Sequence, residues 1–332
     1  MQDQIDLIMK SFIADCGYEP ASEMFDRLSP GKKLRSKLLL NIAQKDEKSL
    51  RLCAIIELIQ AASLLHDDVI DESSVRRGKP SINATYGSKN AVMLGDILYS
   101  KAYFELSKFE SRIAAALSGA VTKLAVGELM DVSLSDDFND DASKYLQMIY
   151  LKTSALIEEV ARCGAFLKFG GAENRGEISD MSRTENEGEI SSSSAAKDHD
   201  KISSASAKFG EYGKNLGLAF QIIDDILDVT QSSEALGKPS LSDFAEGKTT
   251  LPYIYLYENL DDAQRQKLKS FFKKQLRESE ISWIKAKLSE HDIIERCINE
   301  ARAYGQKALE AVAEFKNDKL EQIVRDMIDR EF

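Results

Sequence analysis

The chain has 332 residues, 43% apolar and 30% charged, a balance that can bury a core and excludes disordered and fibrous classes. Its 44 basic residues stand against 55 acidic ones, and the resulting net charge of −11 disfavours nucleic acid and anionic membrane surfaces unless a local basic cluster overrides it. The 5 prolines leave Ser81 to Lys238 free of any proline helix breaker, which points to an all-α chain packed as a multi-layer helical bundle.

In chain order, apolar spacing of three and four predicts helices near 3–16, 32–44, 47–72, 90–108, 111–132, 140–169, 203–230, 250–258, 261–277, 281–314 (broken) and 317–330. The third shows the pattern well, with Leu50, Ala54, Ile55, Leu58, Ala61, Ala62 and Leu65 on its inner face. No domain boundary is needed, so the whole of 1–332 reads as one domain. Residues 171–207 stand apart: they mix serines and acids with almost no large apolar side chain, and they read as a flexible insertion. The opening MQDQIDLIMK lacks the form of a signal peptide, and no run of 18 apolar residues occurs, so a cytoplasmic protein without a membrane span is expected. Cys16, Cys53, Cys163 and Cys297 have neither metal-ligand nor disulfide spacing, which suits core residues in a reducing compartment.

Two acidic motifs carry the chemistry. LLHDDVIDESSVRRG places Asp67, Asp68 and Asp71 at the end of an apolar helix, where like charges and the helix dipole both demand compensation. Arg76, Arg77 or a divalent cation could supply it, and an all-oxygen cluster favours Mg²⁺ over Zn²⁺. GLAFQIIDDILDV repeats the spacing with Asp224, Asp225 and Asp228. One copy could be a solvated helix end, but two copies behind buried apolar runs are better explained as metal sites that hold a polyanion. Cations gather nearby in sequence: Lys32, Lys33, Arg35, Arg76, Arg77, Lys152, Lys238 and Lys248. Lys152 lies among Ile149, Leu151, Leu156 and Ile157, where an unpaired ammonium would be costly.

The ordered motifs GKKLR, LLHDDVIDESSVRRG, GDILYS, GELMD, LKTSALIEE, GLAFQIIDDILDV and GKPSLSDFAEGKTTLP resemble the trans-isoprenyl diphosphate synthases, or polyprenyl synthetases, over nearly the whole chain. One departure is that Pro30 and Gly31 precede Lys32 where that family usually has two glycines. The resemblance implies an antiparallel bundle around a central cavity, a homodimer, and about three Mg²⁺ ions per site. It makes Asp67, Asp71 and Asp224 the leading metal ligands, with Asp68, Asp225 and Asp228 completing the motifs. Lys32, Arg35, His66 and Arg77 then take isopentenyl diphosphate, and Arg76, Lys152, Thr153, Gln221, Lys238 and Lys248 take the allylic diphosphate. Asp67, Asp71, Arg76, Lys152, Asp224 and Lys248 are the expected catalytic set. Ile59, Ala62 and Ser63 lie on the helix leading into the first motif; the small pair argues for an open tunnel and a long-chain product, by resemblance near eight isoprene units. The alternatives are a short-chain synthase, a terpene cyclase-like enzyme and a non-catalytic synthase subunit.

Overall fold

A computed structural model describes residues 2–170, 191–231 and 241–328, with the side chains of 191–199 left out of that description. The chain is all-α, and its one β element among the described residues is a hairpin of two-residue strands. It gathers into two compact units, each assembled from three separate stretches, so neither unit is a contiguous sequence domain. Unit one comprises Met1–Gly119, Ile157–Gly213 and Ala311–Leu320, and unit two comprises Ala120–Leu156, Lys214–Glu310 and Glu321–Phe332.

Unit one is organised by α4, Glu47–Ile70. A reciprocal cap starts that helix: Ser49 N–H donates to Asp46 Oδ1 at 2.7 Å, and Asp46 N–H donates to Ser49 Oγ at 2.9 Å. Buried residues then appear on most of its faces, because it packs against α1 (Gln2–Ala14), α3 (Leu34–Ile42) and α6 (Ser88–Leu106). In α1, Ile5, Met9, Phe12 and Ile13 form the buried stripe that the periodicity predicts. Lys33 takes a left-handed backbone (φ 51°), which starts α3 at Leu34, two residues later than expected.

Among the short elements that were not predicted, three lie in unit one. Helix α2 (Glu19–Asp26) has Pro20 in its first turn, where a missing N–H costs nothing. The hairpin pairs β1 (Val75–Arg76) with β2 (Lys79–Pro80), and Arg77 and Gly78 both have positive φ, as a two-residue hairpin turn requires. Helix α5 (Ile82–Tyr86) is capped by Ser81, whose Oγ accepts from Ala84 N–H.

The chain continues through α7 (Ser111–Leu134), α8 (Ala142–Ile149), a π turn at Tyr150–Ser154, α9 (Ala155–Phe169) and α10 (Ser191–Thr230). After these come α11 (Ser242–Ala245), α12 (Leu251–Asn259), α13 (Asp262–Phe271), α14 (Glu278–Glu290), α15 (Ile293–Val312) and α16 (Asp318–Ile328). The expected break in 281–314 falls at Asp292, which is left-handed (φ 52°). Unit two is built on one apolar cluster that includes Tyr145, Ile149, Ile222, Ile226, Phe244 and Tyr253.

Two expectations need correction. Cys16 is exposed, because it lies in the turn beyond α1, whereas Cys53, Cys163 and Cys297 are buried and all four thiols are free. Of the expected insertion, 171–190 fall outside the described residues, but 191–207 belong to α10. Ile202, Ala205 and Ser206 are buried and Phe209 follows at helical spacing, so a sparse apolar stripe suffices to seat this segment. Helices α4 and α7 are also long and apolar enough to cross a membrane by composition; 67% of the apolar window of α4 is buried and 33% of that of α7.

Ile202→Asp tests the corrected helix start. Losing one buried Ile should cost about 2 kcal/mol and lower the thermal midpoint by several degrees; an unchanged midpoint would mean that residues 200–207 are not packed.

Candidate active site

In unit one the first acidic motif caps α4, with Asp71 as the C-terminal boundary residue. Its three carboxylates differ in environment. Asp68 is buried, and Arg76 Nε donates to its Oδ1 at 2.5 Å. Burial pushes the Asp68 carboxyl above its ordinary range, while the Arg76 guanidinium opposes that shift. Asp67 and Asp71, four residues apart on one face, are only half-buried. The hairpin thus supplies the compensating charge that the sequence demanded, and it commits Arg76 to Asp68.

Arg77 sits at the turn of the same hairpin, and its Nη1 donates to the Ser29 carbonyl at 3.0 Å, drawing the 29–35 segment against it. The guanidinium lies directly over Gly31. The Glu57 carboxylate of α4 favours the charged forms of both Arg77 and Arg35, the latter on the same segment. Ser36 N–H and Ser36 Oγ donate to Glu57 Oε1, the latter at 2.5 Å. Burial lowers the Arg35 pKa, with Glu57 opposing; Arg77 is lowered by burial and then by Arg76. Lys32 is exposed, whereas Lys33 is buried and ion-paired to Asp6.

His66 lies against α6. Its Nε2 is 3.2 Å from the Val92 carbonyl and 3.5 Å from Asp96 Oδ1, and its ring is 5.7 Å from that of Tyr99. Gly95 makes this possible: a Cβ there would lie 2.6 Å from the imidazole Cδ2. The structure brings together Arg35 and Arg77, and it gives His66 its contacts on a different element. Ile59 and Ala62 are fully buried in α4, and Ser63, also buried, donates its hydroxyl to the Gln60 carbonyl at 3.0 Å.

Unit two holds the second motif. Asp225 and Asp228 are buried with both carboxylate oxygens engaged. Tyr145 Oη donates to Asp225 Oδ2 at 2.6 Å, and Gln221 Nε2 donates to Oδ1 at 2.9 Å. Ser242 Oγ donates to Asp228 Oδ1 at 2.8 Å, and Asp243 N–H donates to Oδ2 at 3.3 Å. Burial, reinforced by Asp243, pushes the Asp225 carboxyl well above its ordinary range. Tyr253 is fully buried beside these carboxylates, and burial and they raise its pKa. Asp224 is half-buried. In both motifs, therefore, some carboxylates are buried and others only half-buried.

Lys152 and Thr153 occupy the π turn, a local widening that the continuous helix expected over 140–169 did not reveal. Lys152 Nζ lies 2.8 Å from Glu128 Oε2 and 2.6 Å from Asp131 Oδ2, so the ammonium that looked costly in sequence is paired twice. Gly127 of α7 lets the π-turn backbone approach, since a Cβ there would sit 2.7 Å from the Leu151 carbonyl carbon. Thr153 Oγ1 donates to Gln221 Oε1 at 2.8 Å. Lys248 Nζ is 3.4 Å from Glu246, and its N–H donates to the Asp243 carbonyl. Lys238 lies outside the described residues.

Sequence reasoning missed Glu57, Glu128, Asp131, Tyr145 and Asp243. GELMD and SDFAEGK were visible as motifs, yet an acid in an acidic chain gives no sign that it braces a cation or crowds another carboxylate. Among the described residues, no three His, Cys, Asp or Glu side chains converge to enclose an ion by themselves.

The profile of the polyprenyl synthetase family matches residues 18–184 and 190–288. The chain is similar to the octaprenyl diphosphate synthase of Haemophilus influenzae, with 29% identity over 85% of this chain and 78% of that protein. The prenyl transferase of Cyanidium caldarium is 33% identical over 90% of this chain and 85% of its own length. The crystal structure of the Helicobacter pylori octaprenyl pyrophosphate synthase matches with a TM-score of 0.84 and 41% identity, covering 99% of this chain and 100% of that one.

Lys152→Met should destabilise the protein by about 3 kcal/mol, the scale for removing one partner of a buried ion pair. Lys152→Met with Asp131→Asn should recover part of that loss. Denaturant melts showing no loss for the single variant, or no recovery for the double, would contradict the bracing of Lys152.

Proposed function

We propose, from the premise that the chain belongs to the polyprenyl synthetase family and is a trans-prenyltransferase, that it condenses an allylic diphosphate, farnesyl diphosphate by preference, with successive isopentenyl diphosphates into a long-chain all-trans polyprenyl diphosphate. The observation that carries this reading is an acidic motif in each unit with diphosphate-binding candidates tied to it: Arg76 at Asp68, and Thr153 through Gln221 at Asp225. Within each motif the carboxylates differ in burial: Asp67, Asp71 and Asp224 are half-buried, and Asp68, Asp225 and Asp228 are buried.

The donor set fits Mg²⁺. Every available ligand is a carboxylate oxygen, and the lack of a converged protein cage among the described residues suits a cation that is held by one or two carboxylates and completes its shell with water and phosphate oxygens. Asp67 and Asp71 in unit one would hold one such ion and Asp224 in unit two another, and each when bound would neutralise charge on a diphosphate leaving group.

The remaining roles belong to side chains. Lys32, Arg35 and Arg77 bind isopentenyl diphosphate, with Glu57 favouring the charged form of both guanidiniums; His66 joins them by family resemblance. Lys152, Thr153, Gln221 and Lys248 bind the allylic diphosphate, together with Lys238; Arg76 contributes while keeping Asp68 in position. As the allylic C–O bond breaks, these cations stabilise the departing diphosphate. The isopentenyl double bond then attacks the allylic carbon, and the released proton goes to the departing diphosphate. Exclusion of water prevents capture of the cationic carbon.

Long-chain specificity is supported by the small, buried Ala62 and Ser63 about one turn before the first motif. A cytoplasmic homodimer completes the proposal. Exposed Val126, Leu129 and Val132 form an apolar stripe along α7, and Met93 and Phe104 are exposed on α6, faces suited to a second copy.

Incubation with Mg²⁺, farnesyl diphosphate and excess isopentenyl diphosphate should give a product of about eight isoprene units, whereas Ala62→Tyr, which adds bulk without touching either diphosphate group, should shorten it. No elongation by the wild type overturns the reading; an unchanged product length in an active, folded Ala62→Tyr overturns the placement of the chain along α4.

A further inference from the structure

The second acidic motif anchors a relay whose first member has no role in the proposed reaction. It begins at Tyr145 on α8, whose side chain is almost entirely enclosed at 1% exposure. Its hydroxyl donates to Asp225 Oδ2 at 2.6 Å. The other oxygen of that carboxylate accepts from Gln221 Nε2 at 2.9 Å, and the opposite end of the same amide accepts from Thr153 Oγ1 at 2.8 Å. Thr153 follows Lys152 in the π turn. All four side chains belong to unit two.

The relay fixes more than position. A glutamine amide offers a donor at one end and an acceptor at the other, and the two ends are interchangeable in shape but opposite in polarity. Asp225 settles which way Gln221 faces, because its carboxylate oxygen accepts and only the amide NH₂ can donate to it. The amide oxygen is thereby directed to Thr153, and the Thr153 hydroxyl is made a donor toward Gln221. Asp225 itself is held by Tyr145. Its near-complete burial excludes water as a substitute for that hydroxyl, so loss of the Tyr145 donor would leave a buried oxygen unsatisfied and the carboxylate able to rotate.

We propose that Tyr145 is a positioning residue for the allylic diphosphate site: by holding Asp225 it sets the orientation of Gln221, and through Gln221 that of Thr153 beside Lys152. The inference rests on the assignment of Thr153 and Gln221 to the allylic substrate made above. Tyr145 touches no substrate, and it acts only through the side chains it aligns.

The test is titration of full-length enzyme, in Mg²⁺, with an unreactive allylic thiolodiphosphate and separately with isopentenyl diphosphate. Tyr145→Phe removes one oxygen and should weaken allylic binding about tenfold, the scale of one hydrogen bond to a charged group, while leaving isopentenyl diphosphate affinity within about twofold. Thr153→Val should weaken allylic binding in the wild type and add little in the Tyr145→Phe background, because the two act through one chain of bonds. Should Tyr145→Phe fail to fold, Asp225→Leu removes both acceptors at the centre of the relay and should produce the same allylic-only loss. Equal weakening of both substrates, or additive effects of the two substitutions, would overturn the relay in favour of a merely structural tyrosine. Gln221→Met separates the two levels. If it weakens allylic binding and Tyr145→Phe does not, the inference alone fails; if Gln221→Met has no effect, the allylic assignment fails and takes the inference with it.

Discussion

Carboxylates at the ends of buried apolar helices are the constraint on which the rest of the structure depends. Both motifs gather three acids within five residues, at helix ends whose dipole already opposes negative charge. A protein can tolerate such clusters only by satisfying each oxygen. In both units some of the acids are satisfied internally: Arg76 takes Asp68, Tyr145 and Gln221 take Asp225, and Ser242 with the Asp243 N–H takes Asp228. Those bonds fold the hairpin onto α4 and tie α8, α10 and α11 together, so the acids that look catalytic in sequence also organise their surroundings.

The same economy governs the cations. The charged forms of Arg35 and Arg77 are favoured by Glu57, and Lys152 is paired with Glu128 and Asp131. A cation held this way keeps its position without a ligand, which limits the reorganisation that diphosphate binding requires. The surrounding acids also temper the positive field, so the net charge of −11 is compatible with two anion-binding regions.

Much of this is legible in the sequence. Helices α4, α6 and α7 follow directly from apolar spacing, and the paired Asp-Asp-x-x-Asp motifs mark both acidic sites by their spacing alone. The misses have physical causes. Pro20 reads as a breaker but is harmless in a first turn. The π turn at Tyr150–Ser154 has no sequence signature, because it arises where Gly127 lets α7 crowd the backbone. Ser-rich residues near 200 look unfoldable until Ile202 and Ala205 are seen to be buried. Which aspartates are committed internally depends on Tyr145, Ser242 and Arg76, and for Tyr145 the partner lies 80 positions away, beyond the reach of local pattern.

In the proposed site the half-buried carboxylates take the metal and the buried ones the scaffold, and anomalous scattering from crystals soaked with Mn²⁺ and an allylic thiolodiphosphate tests this directly. Ions should be ligated by Asp67, Asp71 and Asp224, with Asp225 still bound to Tyr145 and Gln221 and Asp228 still bound to Ser242. An ion ligated by Asp225 or Asp228, with those hydrogen bonds broken, would contradict the division and the site built on it.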